Sequence, residues 1–232
     1  MEKNIVLIGG STGIGKELAL NLAEDHKVFI LSRTKPEFSE QNTEYLQFDA
    51  TKDNIEDLDL PNSIHGLVYC PGSIDLKPFK MLKLEGFEKD MHLNFFSLVK
   101  VVKGLMPKLK KADQASLVFF STVAVKVGMP FHTSIAAAKA AIEGFAKSLA
   151  AEYAPSLRVN VIAPSLTNTP LAKNLLSTDE KKKKMDDRHP LKRVGTPKDI
   201  ASLAVFLIND KSSWITGQVI GVDGGLSTIN MN

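Results

Sequence analysis

NIVLIGGSTGIGKELALNLAEDH, residues 4–26, is the stretch that decides the fold class. Residues 4–8 are a short, almost unbroken apolar run, the pattern of a strand buried on both faces. Glycines follow, and then residues 15–26 set Leu18 with Leu22, and Ala19 with Ala23, at helical spacing. Strand, tight glycine turn and helix in that order make the first half of a βαβ unit. Such a turn presents free helix N–H groups at the strand end, where they suit an anion. A glycine also serves a plain strand–helix turn. Its place between the first strand and first helix is what marks IGGSTGIG (8–15) as a dinucleotide phosphate loop, with Gly9, Ser11, Thr12, Gly13, Ile14 and Gly15 as its contacts.

Outward from this unit the alternation continues. Strands are predicted at 27–32, 45–50, 64–70, 116–121, 158–163 and 217–225. Helices are predicted at 84–110, with Phe87, Met91, Phe95, Leu98, Val102 and Leu105 on one stripe, and at 134–153 and 197–210. Continuously apolar strands between helices imply an α/β fold: a doubly wound parallel sheet of about seven strands with helices on both faces. No internal repeat or linker divides residues 1–232, so they are read as a single domain. Residues 164–196 are polar, lysine-rich and bracketed by prolines, and are expected to be an irregular substrate lid.

A net charge of +3, spread along the chain, argues against nucleic acid, which wants a concentrated basic face. No apolar run reaches the length of a membrane span, and the N-terminus lacks a signal-peptide core. The single cysteine, Cys70, suits a reducing compartment, so a cytoplasmic location is expected. No metal site is assigned.

The second strand ends in Ser32 and Arg33, where an acid would hold the ribose hydroxyls of NAD. The missing acid and the arginine favour NADP(H), although a lone arginine is also an ordinary surface residue. Asp49, ending the third strand in FDA beside Ala50, suits an adenine amino group or a plain turn cap.

FHTSIAAAKAAIEGF, residues 131–145, sets Lys139 among alanines, where an ammonium needs a partner or solvent. One helical turn earlier stands Ile135, which offers that lysine no chemistry.

GGSTGIG, FDA, Asn94, AAAKAAIEGFAKSLAAEYA, RVNVIAPS, LKRVGTPKDIASLAVFLI and ITGQVIGVDGG together resemble the short-chain dehydrogenase/reductase family over essentially the whole chain. The resemblance implies a seven-stranded Rossmann sheet, a homo-oligomer (tetramer or dimer), and hydride transfer between NAD(P)(H) and a small-molecule carbonyl or alcohol. The family's Asn, Ser, Tyr and Lys fall on Asn94, Thr122, Ile135 and Lys139, so the tyrosine that exchanges the proton is replaced by an apolar side chain. Cys70 stands where the family has an asparagine, ahead of Gly72. Ser165 follows Pro164 where the family has glycine, and Ile8 replaces a threonine. Thr169, with Thr167 nearby, keeps the family's carboxamide contact. The cofactor half is thus mostly retained and the chemical half altered. A catalytically silent nucleotide-binding or scaffold subunit is the alternative to an enzyme.

Three groups are weighed for the missing proton: a water on Lys139, Thr122, and His132, which precedes Ile135 by three residues. The lysine run at 181–184 reads as a solvated helix face. A phosphate-bearing substrate would also suit Lys184, Arg188, Lys192 or Arg193.

Overall fold

The computed structural model describes residues 2–230; residues 1, 231 and 232 of the expected span lie outside it. Seven strands form one parallel sheet: β1 (Asn4–Ile8), β2 (Lys27–Ser32), β3 (Thr43–Gln47), β4 (Gly66–Tyr69), β5 (Ala115–Phe120), β6 (Leu157–Pro164) and β7 (Val219–Val222). Their order is β3-β2-β1-β4-β5-β6-β7. The chain builds outward from β1 to β3, then returns to β4 and builds the other way. Ligands bind outside the carboxyl ends of the strands at such a reversal, and here Ile8 and Tyr69 close the two strands flanking it, with Phe120 and Pro164 closing the next two.

Alternate residues of each strand supply two separate cores. Val6, Phe29, Leu67, Leu117 and Val159 pack under α3 (Ser97–Leu109) and α4 (Thr133–Tyr153). Ile5, Leu7, Val68, Val118 and Ile162 pack under α1 (Gly13–Leu22) and α6 (Pro197–Ile208). Thr196 starts α6 with a reciprocal capping box to Asp199, followed by Pro197 in the first turn.

The main departures from the sequence-based expectation are local. The helix expected over 84–110 is divided into α2 (Leu84–Met91), a π turn over His92–Phe96, and α3. Two side chains draw on the backbone there. Asn94 Nδ2 donates to the Asp90 carbonyl, and Ser97 Oγ donates to the His92 carbonyl at 2.7 Å. Segment 164–196 is only partly irregular: it holds a 3₁₀ stretch, Pro170–Leu176, and α5 (Asp179–Arg188), with turns and loop before, between and after them. A bridge between Thr167 and Gly195 ties its two ends together. β3 closes at Gln47 rather than at residue 50, α1 covers 13–22 rather than 15–26, and β7 is confined to Val219–Val222.

Candidate active site

The glycine loop folds as a cradle. Gly9 and Gly13 adopt φ of 85° and 56°, conformations that side chains resist. A Cβ at Gly15 would lie 2.1 Å from the Gly9 carbonyl oxygen, so loop and helix meet at a distance that no other residue permits. Thr12 precedes α1 without capping it through its side chain, so the first N–H groups of the helix face the loop uncommitted. A Cβ on Gly13 would meet Thr169 at 3.4 Å, and one on Gly9 would meet Cys70 at 3.3 Å. The loop is therefore flanked closely by Cys70 at the end of β4 and by Thr169 in the segment that follows β6. These features fit a pyrophosphate held by backbone N–H groups.

At the end of β2, the Ser32 hydroxyl donates to the Thr34 carbonyl at 2.8 Å, while Arg33 is exposed. Among the described residues Arg33 makes no ion pair. Asp49 is engaged locally: its Oδ1 accepts from the Thr51 N–H at 3.0 Å and from the Thr51 hydroxyl at 2.6 Å. The Thr51 hydroxyl leads in holding this carboxyl below its ordinary pKa. Asp49 is thus a turn residue that keeps its other oxygen as an acceptor, and Ala50 beside it is buried.

A cavity of about 280 Å³ opens beside the loop. Of the residues singled out from sequence, Ile14, Cys70, Gly72, Thr122, Lys139, Pro164, Thr167 and Thr169 line it, as do Ile135 and His132. Gly9, Ser11, Thr12, Gly13, Gly15, Ser32, Arg33, Asp49, Ala50 and Asn94 lie outside its lining. None of the three tyrosines borders it. Tyr69 is buried with its hydroxyl on the Leu93 carbonyl, and burial raises its pKa. Tyr45 donates to the Ser32 carbonyl.

Lys139 is 7% exposed, and its Nζ donates to the Phe120 carbonyl at 2.9 Å. Burial pulls its pKa down to about 8, with Cys70 and Asp90 opposing. Burial likewise pushes the Cys70 thiol up to about 12, which makes it an inert, cavity-facing apolar group. A Cβ built on Gly72 would sit 3.4 Å from Asn94 Oδ1 and 3.5 Å from Lys139 Nζ, so both groups converge on this one bare backbone position. Asn94 Oδ1 is buried without a protein partner. It is an acceptor that a water between it and the ammonium would satisfy.

The Thr122 hydroxyl accepts from the Ala124 N–H at 3.3 Å. Ser121 turns to α4, donating to Glu143 at 2.5 Å. Of the four cations considered for a phosphate, Arg188 alone lines the cavity. Arg193 is paired with Asp199, and Lys192 donates to the Asp187 carbonyl.

One cluster was not foreseen. The buried carboxylate of Asp90 accepts from Ser73 Oγ and Ser134 Oγ, both at 2.6 Å, and Ser73 Oγ in turn accepts from Asn94 Nδ2 at 3.1 Å. The available signal was the position of Asp90, one helical turn before Asn94.

Comparison with known proteins gives a consistent answer. A family model described as enoyl-(acyl carrier protein) reductase matches residues 9–227. A tropinone reductase homologue of Arabidopsis thaliana is 32% identical, covering 98% of this chain and 93% of its own length. A 3-oxoacyl-[acyl-carrier-protein] reductase of Chlamydia trachomatis is 30% identical, over 98% of both chains. A short chain dehydrogenase family protein of Francisella tularensis superposes with a TM-score of 0.91 at 30% identity, covering 99% of this chain and 100% of that one. A structure of ElxO with NADP bound superposes with a TM-score of 0.88 at 26% identity, covering 99% of this chain and 100% of that one. With its seven-stranded parallel sheet, helix-covered faces and glycine cradle, the chain belongs to the short-chain dehydrogenase/reductase family.

Proposed function

We propose that this protein is an NADP(H)-dependent oxidoreductase that interconverts a small-molecule carbonyl and its alcohol, in a site where Ile135 takes the position of the family's tyrosine. The observation that carries the reading is the convergence of Asn94 Oδ1 and Lys139 Nζ on Gly72, at the edge of the cavity beside the glycine loop. Gly9, Gly13 and Gly15 would hold the pyrophosphate. Ser32 and Arg33 would hold the adenosine phosphate, and Thr167 and Thr169 the carboxamide. The exposed Arg33 and the lack of an acid at the end of β2 support NADP(H), as does the NADP-bound relative. The bound dinucleotide would supply or accept the hydride. Lys139 holds the nicotinamide ribose and keeps a positive charge at the cavity wall. Thr122 orients the substrate oxygen, and Asn94 fixes a water against Lys139. A cytoplasmic location and a dimeric or tetrameric assembly accompany this reading. Their support is the unpaired Cys70, the edge position of β7 and the 99% exposure of Trp214, five residues before that strand.

The absence of any tyrosine from the cavity wall favours a second reading, a silent nucleotide-binding subunit. Fluorescence titration with NADPH and NADH separates the possibilities from one side: both readings fail if neither dinucleotide binds. Assay against a panel of ketones, aldehydes and 3-oxoacyl thioesters separates them from the other. Turnover that Lys139→Ala abolishes excludes the silent subunit.

A further inference from the structure

Ser165 Oγ lies 2.8 Å from His189 Nε2, and His189 Nδ1 lies 2.8 Å from the Met185 main-chain carbonyl. A carbonyl oxygen only accepts, so Nδ1 carries a hydrogen whether the ring is neutral or charged. In the neutral ring Nε2 accepts from the Ser165 hydroxyl. In the imidazolium Nε2–H donates to Ser165 Oγ, which leaves the serine's own hydrogen free to point into the cavity.

Both side chains line the cavity that Lys139, Thr122 and Ile135 border, yet His189 is only 3% exposed. The ring is backed by Gly224, where a Cβ would lie 3.6 Å from His189 Cβ and Cδ2. Ser165 is fixed from behind by its N–H, which donates to the Val222 carbonyl. A titratable ring oriented by a backbone carbonyl, with a hydroxyl between it and a cavity, is the arrangement of a proton relay.

We propose that Ser165 exchanges the proton with the substrate oxygen and that His189 supplies it through Ser165, in place of the phenol that this cavity lacks. The proposal rests on the carbonyl-reductase reading above. In reduction, a bound reduced nicotinamide would supply a hydride to the carbonyl carbon, which sends the C–O π pair to oxygen. That oxygen bonds the Ser165 hydrogen as the serine O–H breaks. Ser165 Oγ takes the hydrogen of His189 Nε2, whose bonding pair stays on the ring, and the neutral ring regains a proton from water. Alcohol oxidation runs the same steps backwards.

Among the described residues, the other two groups weighed as the acid, Thr122 and His132, lack this connection. Thr122 has a main-chain N–H on its oxygen and no titratable group behind it. His132 bonds the Pro130 carbonyl through Nδ1 and has no hydroxyl on Nε2. The charged groups around the His189 ring are Lys139 and Arg188 in its own cavity. A second cavity behind it holds Asp223 and the Arg193–Asp199 pair, while Asp186, Asp187 and Lys192 flank it in sequence.

The test uses the full-length protein. His189→Asn keeps a donor for the Met185 carbonyl but cannot titrate, and His189→Gln is the second variant in case the first misfolds. Ser165→Ala removes the relay, and Ser165→Thr restores a hydroxyl. The expected result is a loss of about 10²–10³-fold in kcat for carbonyl reduction in both His189 variants and in Ser165→Ala, with recovery in Ser165→Thr. Dinucleotide affinity by fluorescence should change less than about threefold. The alkaline decline of wild-type reduction that a histidine acid imposes should vanish with His189. Independently of turnover, ring ¹⁵N spectra of the wild type should show the Nδ1–H form of neutral His189, and the Nε2 signal should change in Ser165→Ala, where it loses its partner. An active wild type whose rate and pH profile survive all these variants overturns the relay alone. So does loss of the alkaline limb in His132→Gln instead. A wild type that binds no dinucleotide or reduces no carbonyl overturns the relay together with the reading beneath it.

Discussion

Lys139 Nζ donates a 2.9 Å hydrogen bond to the carbonyl of Phe120, tying the second turn of α4 to the last residue of β5. The ammonium is held in place by that bond, yet burial lowers its pKa from 10.5 to about 8. The unfolded chain therefore binds more protons than the folded one between those values, and stability rises with pH across the window. The burden of the buried charge is complete below about pH 8 and is lifted as pH rises towards the unfolded value. Relative to Lys139→Met, the wild type is expected to gain about 2–3 kcal/mol between pH 8 and 10.5. Denaturant unfolding of both proteins at several pH values measures this difference, and the other lysines cancel in the comparison. A flat difference would show that Lys139 is not desolvated.

Two glycines provide opposite expectations. At Gly15 a Cβ would lie 2.1 Å from the Gly9 carbonyl oxygen, whereas Gly144, exposed within α4, has nothing within 4 Å of that position. Gly15→Ala must push the phosphate loop apart, and should cost about 2–4 kcal/mol together with dinucleotide binding. Gly144→Ala should stabilise by about 0.5–1 kcal/mol through helix propensity and a less flexible unfolded chain. Thermal melts and a fluorescence titration of both variants check this. Equal effects of the two substitutions would mean that the tight approach at Gly15 has no energetic weight.

Much of this architecture is legible in the chain because single-period patterns encode it. The buried run Ile5–Ile8, the glycines after it and the alanine-rich α4 each follow from local chemistry. The π turn at His92–Phe96 does not, since one inserted residue leaves the apolar stripe on either side intact and simply rotates it. Pairings across space are equally silent. Ser165 is noticeable as a side chain after Pro164, but its partner lies 24 positions away in a lysine-rich segment that reads as a solvated lid. Asp49 suits two roles in sequence, and only the placement of Thr51 shows that one of its oxygens serves the turn.

The Asp90 cluster should be measurable as stability and as site geometry. Its carboxylate joins α2 to Ser134 at the start of α4 and to Ser73 after β4, and Ser73 also accepts from Asn94. Asp90→Ala strands two hydroxyls and should destabilise by about 2–4 kcal/mol. Asp90→Asn preserves volume and one acceptor, and should cost about half as much. If Asn94 depends on this support, kcat should fall in both variants while dinucleotide affinity holds. Chemical denaturation and steady-state kinetics separate the two effects. A loss below about 0.5 kcal/mol in Asp90→Ala would remove the cluster as a structural tie.

Ile135 is 6% exposed, lines the cavity and lies one helical turn before Lys139. That spacing stacks a side chain at 135 towards the ammonium, so a phenol placed there would have its pKa lowered by the neighbouring charge. Ile135→Tyr should raise carbonyl reduction by about 10²–10⁴-fold if the parent lacks a positioned acid. It should cost about 1–3 kcal/mol of stability, because the larger ring must fit a wall shaped around isoleucine. The size of the gain also bears on Ser165 and His189. If they already deliver the proton, the gain should be modest in the wild-type background and large in Ser165→Ala, where the new tyrosine would be the main acid. Rate measurements on the single and double variants give both gains directly. Equal gains in the two backgrounds would mean that the tyrosine and the serine act independently, and a fall in both would mean that residue 135 does not face the reacting oxygen.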